Sequence, residues 1–146
     1  MAALRVILSN KLNMSTEKNK QVVLLFNKEV LGKNNIEVLK ELVADDFINH
    51  TATGNVPNNV NGLMQFVAML HKGFSEIHIE IFEQAAENDL VATRKEIHAR
   101  HTGEIMGRAA TGKPVTLNVI DMIRLRDGKY IEHWGRNDIM QVIQSL

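Results

Sequence analysis

The sequence predicts a single-domain α+β protein, and two patterns along the chain predict it. Apolar residues recur at helical spacing through the first half, whereas the second half alternates apolar and polar residues with the period of a β-strand. A sheet built from the second half must bury one face, and the preceding helices are the elements available to cover it. The length of 146 residues is that of one domain with a buried core.

Three helices are predicted before the strands. The first begins at capping residues 15–16 and ends at Gly32, and a shorter second helix begins after Asn34 or Asn35. A polar loop over residues 51–61 then precedes the third helix. The apolar positions expected in the core or in a pocket wall are Phe26, Leu39, Phe66, Leu70 and Ile123.

Four strands are predicted after the third helix, because turn signals divide the second half of the chain. These signals lie at residues 88–89, 112–114 and 127–128, the last being an Asp-Gly hairpin turn. Short turns between successive strands favour an antiparallel meander. Residues 47–50 are predicted to leave the second helix in an extended conformation, and residues 139–146 to form a short helix or a tail.

The composition argues against several classes of function. Acidic and basic residues balance at 17 each, without the basic excess typical of nucleic-acid binding. The sequence has no cysteine, which excludes disulfides and thiolate catalysis and fits a cytoplasmic protein. No apolar run approaches the roughly 20 residues of a membrane span. Residues 1–14 have too short an apolar run for a signal peptide and are interpreted as an extension before one domain at 15–146.

Several short motifs occur in a fixed order: Asp46–His50 (DFINH), Gly103–Gly107 (GEIMG), Ala110–Lys113 (ATGK), Arg124, Asp127–Lys129 (DGK) and Ile131–Trp134 (IEHW). In this order and spacing the set resembles the SnoaL-like polyketide cyclase family, or ester cyclases, over residues 20–141. The resemblance implies a cone-shaped, curved antiparallel sheet of four to six strands, with three N-terminal helices closing a central pocket. It also implies a small apolar organic substrate, no cofactor, and a homodimer formed through the outer sheet face.

Asp121 is the most informative residue for chemistry, because apolar neighbours flank it on a predicted strand. Burial there would raise the pKa of the carboxyl group, as suits a general acid or base. The alternative is a structural ion pair with Arg94 or Arg124. Strand alternation disfavours Arg124, which lies three residues away on the opposite face.

His133 and Trp134 are adjacent on the last strand and therefore point to opposite faces. The family resemblance places His133 in the pocket. Members that cyclise polyketides carry an acid/base aspartate just after this histidine, where this chain has Gly135. Asp138 is the next aspartate. The candidate proton-transfer groups are therefore Asp121, His133 and Asp138.

Further substrate-binding candidates follow from the same resemblance. Asn49 and His50 match a pocket position of the family, with a loop hydrogen bond as the alternative for His50. His101 matches a family segment, although it also fits a solvated strand position. Arg94 would bridge Asp121 and Asp138 if the site worked like the epoxide hydrolases of the same cone; an ordinary salt bridge is the alternative.

The other histidines, His71, His78 and His98, are predicted to lie at the surface. No histidine and carboxylate set shows metal-ligand spacing along the sequence, so no metal site is predicted. Two functions remain open: a cofactor-independent enzyme acting on a small apolar, oxygenated molecule, and a non-catalytic small-molecule binding protein. For the homodimer, the outer-face residues proposed are Thr93, Met122 and Trp134, although strand alternation allows some of them to point inward.

Overall fold

Residues 15–146, which the computed structural model describes, form helices that pack against one sheet. The predicted extension at residues 1–14 lies outside this described part of the chain. In chain order the elements are α1 (residues 15–26, continued by a π-helical turn at Asn27–Leu31), α2 (Ile36–Leu42), β1 (Val43–Asn49), α3 (Val60–Gly73), β2 (Phe74–Glu87), β3 (Leu90–His101), β4 (Pro114–Arg126), β5 (Lys129–Asn137) and α4 (Ile139–Gln144).

The sheet has the strand order β1-β5-β4-β3-β2. The predicted antiparallel meander is confirmed for β2 to β5, and the Asp127-Gly128 turn joins the last two strands with positive φ at both residues. The fifth strand, β1, pairs in parallel with β5. It separates α2 from α3, so the three helices are not consecutive as predicted, and α4 adds a fourth helix after the sheet.

A β-bulge in β5 decides which side chains reach the inner face of the curved sheet, where the helices pack. Tyr130 pairs with Leu125, whereas Glu132 pairs with Arg124, which leaves Ile131 as the extra residue. A bulge shifts the alternation of the strand by one position. Tyr130 and His133 therefore share the inner face, although they are three residues apart.

The core lies between the inner sheet face and the helices, largely as predicted. Phe26, Leu39, Leu70 and Ile123 are buried, and the Phe26 ring stacks on Tyr130 with centroids 4.5 Å apart. Phe66 is only partly buried at the edge of this core. Other buried residues of the core are Val23, Val67, Val91, Leu117 and Leu125. No helix within residues 15–146 is long and apolar enough to cross a membrane.

Of the three residues proposed for the outer sheet face, Thr93 is the one that points inward. Its side chain is buried on the inner face, where it pairs across strands with Asp121. Met122 and Trp134 pair with each other on the opposite face, as expected.

A matched pair of leucines tests the core. We expect Leu39→Ala to lower the free energy of unfolding by about 2–5 kcal/mol, because Leu39 is fully buried and its truncation leaves a cavity. Leu25 is 44% exposed on α1, so Leu25→Ala should change the stability by less than about 0.5 kcal/mol. Urea unfolding followed by circular dichroism measures both, and equal losses would contradict the assigned helix faces.

Candidate active site

The centre of the inner face holds a buried ion pair between neighbouring strands. Lys95 on β3 places its Nζ 3.1 Å from Oδ2 of Asp121 on β4, and the two side chains are only 3% and 8% exposed. Lys95 Nζ also donates a hydrogen bond of 2.6 Å to Oδ1 of Asn27. Two charges this deep in a protein require each other, because either alone would be strongly disfavoured.

The π-helical turn at the end of α1 supplies Asn27 to this pair. The Asn27 side chain is buried, and its Nδ2 donates to the carbonyl of Val23 at 2.8 Å. The amide nitrogen is thus used within the helix, and the amide oxygen is left facing Lys95. Isolated π-helical turns often occur at functional sites, where the wider turn redirects a side chain.

The pKa of Asp121 departs from its ordinary value in the direction opposite to the prediction. Burial by itself raises the pKa of this carboxyl group, but the charge of Lys95, with a contribution from His133, lowers it below the usual value. The expected raised pKa was therefore wrong, and Asp121 is ionised at neutral pH. Lys95 was not among the partners predicted for Asp121, although alternation along β3 puts it on the same face as Thr93.

His133 lies beside Asp121 with a defined orientation of its ring. Its Nε2 is 3.7 Å from Oδ2 of Asp121, and its Nδ1 is 2.8 Å from Oδ1 of Asn49. This oxygen also accepts hydrogen bonds from the backbone N–H and the hydroxyl of Thr51. Because an amide oxygen can only accept, Nδ1 of His133 carries a proton, and Nε2 faces Asp121.

Gly135 makes room for the histidine ring. It pairs with Asp121 across strands, and a Cβ atom built on Gly135 would lie 2.8 Å from Cε1 and 2.9 Å from Nε2 of His133. The ring therefore occupies the space that any side chain at position 135 would need. Where the family resemblance implies an aspartate on β5, this chain places the carboxylate of Asp121 on the adjacent strand.

One oxygen of the Asp121 carboxylate remains an open acceptor. Its Oδ1 is buried and has no hydrogen-bond partner among residues 15–146. An ionised carboxylate has several acceptor positions and is costly to bury with any of them unmet. Oδ1 is thus a buried acceptor whose partner does not come from these residues.

Two of the predicted site residues lie on the outer sheet face instead. Arg94 binds both carboxylate oxygens of Glu83 at 2.6 and 3.0 Å. Asp138 accepts hydrogen bonds from the backbone and side-chain nitrogens of Asn118, which points away from the core. The proposed Asp121–Arg94–Asp138 set does not form. Arg124 binds Asp89 at 2.6 Å, so Lys95 replaces both arginines considered as partners of Asp121.

His50 and His101 are also separated from Asp121. The His50 ring stacks on Trp134 at 4.7 Å and bonds to Glu132, on the side of the sheet opposite His133. His101 is fully buried at the far end of β3, where its Nδ1 accepts a hydrogen bond from the backbone N–H of Thr111. It lies six residues from Lys95, or roughly 20 Å along a strand.

The three histidines predicted to lie at the surface differ in their exposure. His78 is exposed and His98 lies on the outer sheet face, as predicted. His71 is half-buried rather than exposed, and its Nε2 is 2.7 Å from the carbonyl oxygen of Leu31. This bond connects α3 to the π-helical turn.

Comparison with known families identifies the family to which the chain belongs. Residues 21–146 match the family model "SnoaL-like polyketide cyclase". The chain belongs to the SnoaL-like polyketide cyclase family. A curated relative of this SnoaL-like protein is the aklanonic acid methyl ester cyclase DnrD of Streptomyces peucetius, which is 34% identical over 81 residues. That match covers 55% of the chain and 56% of DnrD, so it spans only about half of the relative.

Solved structures share the fold of this SnoaL-like protein over most of its length. TsrD from Streptomyces laurentii superposes with a TM-score of 0.76 at 16% identity, covering 89% of this chain and 97% of TsrD. IdmH from Streptomyces antibioticus gives a TM-score of 0.73 at 25% identity, covering 86% of this chain and 96% of IdmH. A SnoaL-like polyketide cyclase from Agrobacterium tumefaciens gives 0.69 at 13% identity, with coverages of 87% and 95%.

The ion pair can be tested by removing its cation. We expect Lys95→Met to lower the free energy of unfolding by about 3–5 kcal/mol at pH 7, since Asp121 would be left charged and buried. The double variant Lys95→Met/Asp121→Asn should recover much of this loss, because it buries no charge at the pair. Chemical unfolding of the single and double variants measures the difference.

The loss of folding stability in Lys95→Met should depend on pH in a definite direction. In the wild type the lowered pKa of Asp121 contributes stability above about pH 4, which is lost as the pH falls through the folded-state pKa. Without Lys95, burial should raise the pKa of Asp121, so protonation on acidification removes the penalty. The stability deficit of Lys95→Met should therefore shrink as the pH falls from 7 to 5. A deficit that stays constant over this range would contradict the role given to Lys95.

Proposed function

We propose that this protein catalyses a cofactor-independent, cyclase-type proton transfer on a small apolar, oxygenated substrate. The observation that carries the proposal is the pair formed by Asp121 and His133 on the inner face of an otherwise apolar sheet. Asp121 is ionised and lies beside Nε2 of His133, the ring nitrogen opposite the one that carries the proton, so an imidazole nitrogen and a carboxylate oxygen lie next to each other as proton acceptors. A non-catalytic binding protein, the alternative, would show no proton transfer from a bound substrate.

Each neighbouring residue has a separate role in the proposal. Lys95 keeps Asp121 ionised despite its burial. Asn49 holds the proton of His133 on Nδ1, so that the Nε2 lone pair accepts the substrate proton. Once His133 is charged, the nearby carboxylate of Asp121 stabilises the imidazolium. The unpaired Oδ1 of Asp121 would accept a hydrogen bond from a substrate hydroxyl group that enters the site.

The reaction class that fits this pair is closure of a carbon ring. His133 would remove a proton from a carbon between two carbonyl groups, giving an enolate. The enolate carbon would form a bond to a second carbonyl carbon, whose C=O electron pair moves onto oxygen. The imidazolium would return the proton to that alkoxide. The sequence of steps is an isomerisation, balanced in atoms and electrons, that consumes no co-reactant.

DnrD narrows the proposed substrate class, because its name specifies aklanonic acid methyl ester as the molecule that is cyclised. We propose a carbonyl-rich substrate of this kind, bearing an ester, for the present chain. The epoxide hydrolase alternative loses its support, since Arg94 and Asp138 lie on the outer face. The location in the cytoplasm stays a prediction.

Proton removal can be measured before the natural substrate is known. We expect the protein to accelerate deuterium exchange at the methylene group of a β-keto ester in D₂O, followed by NMR. His133→Gln and Asp121→Asn should each lower this rate by about 10²–10⁴-fold, the usual scale for a general acid or base. His50→Gln is the matched control and should leave the rate unchanged, because His50 lies on the other side of the sheet.

Melting temperatures of the same variants separate catalysis from folding. The proposal fails if wild type exchanges no faster than buffer across a panel of keto esters. It also fails if both variants are folded and retain the wild-type rate.

We also propose that a second copy of this chain covers part of the outer sheet face. Ile120 is 59% exposed and Met122 is 40% exposed, next to each other on the central strand β4. Apolar side chains in the middle of a sheet face favour a partner surface. Light scattering at micromolar concentration should show a dimer, and Ile120→Glu should shift it toward monomer. A monomer for the wild type would contradict the proposal.

A further inference from the structure

A second polar cluster lies on the outer face of the sheet, away from Asp121. Glu80 on β2 pairs directly with Glu96 on β3, and His98 follows on the same face of β3. Like charges in directly opposed positions destabilise a strand pair unless a positive group lies between them. The cluster comes from two strands, so its members have no metal-ligand spacing along the sequence.

The geometry of the cluster brings three metal-ligating atoms together. His98 Nε2 is 3.1 Å from Oε2 of Glu80 and 3.2 Å from Oε2 of Glu96. One ligand atom from each residue lies within 4.8 Å of the other two. Neighbouring ligands of a tetrahedral zinc ion are about 3.3 Å apart, given bonds of roughly 2.0–2.1 Å. The histidine-to-carboxylate separations are therefore close to those of a zinc site.

A neighbouring hydroxyl group orients His98, and neither arginine on this face of β3 forms an ion pair with Glu80 or Glu96. His98 Nδ1 is 3.2 Å from Oγ1 of Thr116 on β4. A hydrogen bond at this second ring nitrogen is the usual support for a histidine that binds metal through the other. The two arginines on the same face of β3 are engaged elsewhere, because Arg94 binds Glu83 and Arg100 binds Glu76.

We propose that Glu80, Glu96 and His98 bind a divalent transition-metal ion of the zinc class. Imidazole and carboxylate ligands together suit zinc better than magnesium or calcium. The ring centroid of His78 lies 6.3 Å from that of His98 on the same sheet face, so His78 is the candidate for a fourth ligand. A metal ion here fastens the edge strand β2 to β3. The site is independent of the proposed cyclase chemistry, since it lies on the opposite sheet face.

Zinc binding to the chelator-treated, full-length protein tests the proposal. Isothermal titration with Zn²⁺ should give one site per chain, and Zn²⁺ should raise the melting temperature, because a ligand that binds the folded state stabilises it. His98→Ala and Glu80→Gln should each weaken this binding at least about tenfold and remove the thermal shift. Both substitutions are at the surface, so the variants should remain folded.

His50→Ala is the matched control, because His50 is a partly exposed histidine that contacts a single carboxylate, Glu132. It should bind Zn²⁺ like the wild type. The proposal is overturned if wild type and His98→Ala bind Zn²⁺ equally, or if His50→Ala loses binding to the same extent. Deuterium exchange in the β-keto ester assay should be unchanged by the chelator, which keeps this test separate from that of the proposed function.

Discussion

The buried contact between Lys95 and Asp121 is the interaction on which the rest of the site depends. Each charge is tolerated in the interior only because the other is within hydrogen-bond distance. The pair joins β3 to β4, and Asn27 extends it to α1. His133 and Asn49 extend it to β5 and β1. One polar chain therefore fixes the relative positions of a helix and four strands inside an apolar core.

Local irregularities allow this polar chain to exist. The π-helical turn at Asn27–Leu31 directs an amide toward Lys95, where a regular helix would present a different position. The bulge at Ile131 brings His133 to the inner face together with Tyr130. Gly135 then leaves the space that the His133 ring occupies. Each departure from regular geometry lies next to a residue of the proposed catalytic group.

The two faces of the sheet carry different kinds of chemistry. The inner face is apolar apart from a few buried groups, of which Asp121 and Lys95 are charged as a pair. The outer face combines exposed ion pairs, such as Arg94 with Glu83, with the exposed apolar side chains of Ile120 and Met122. This division explains why Asp121 and Asp138, both considered as acid/base groups, differ so strongly in their surroundings. It also puts the proposed substrate site on one face and the proposed metal ion and second copy on the other.

The sequence by itself determined the three helices, the antiparallel meander and the inward direction of Asp121, because these follow from local periodicity and turn residues; it did not indicate that the segment between α2 and α3 pairs in parallel with β5. The family motifs indicated the fold and placed His133 beside the site. Only the tertiary structure decided that Lys95 is the partner of Asp121 and that the pKa of Asp121 falls rather than rises. It also decided that His50 and Arg94 lie on the side of the sheet opposite Asp121. The reason is physical: cross-strand partners depend on register and bulges, and the balance between burial and neighbouring charge depends on distances that periodicity along the chain does not contain.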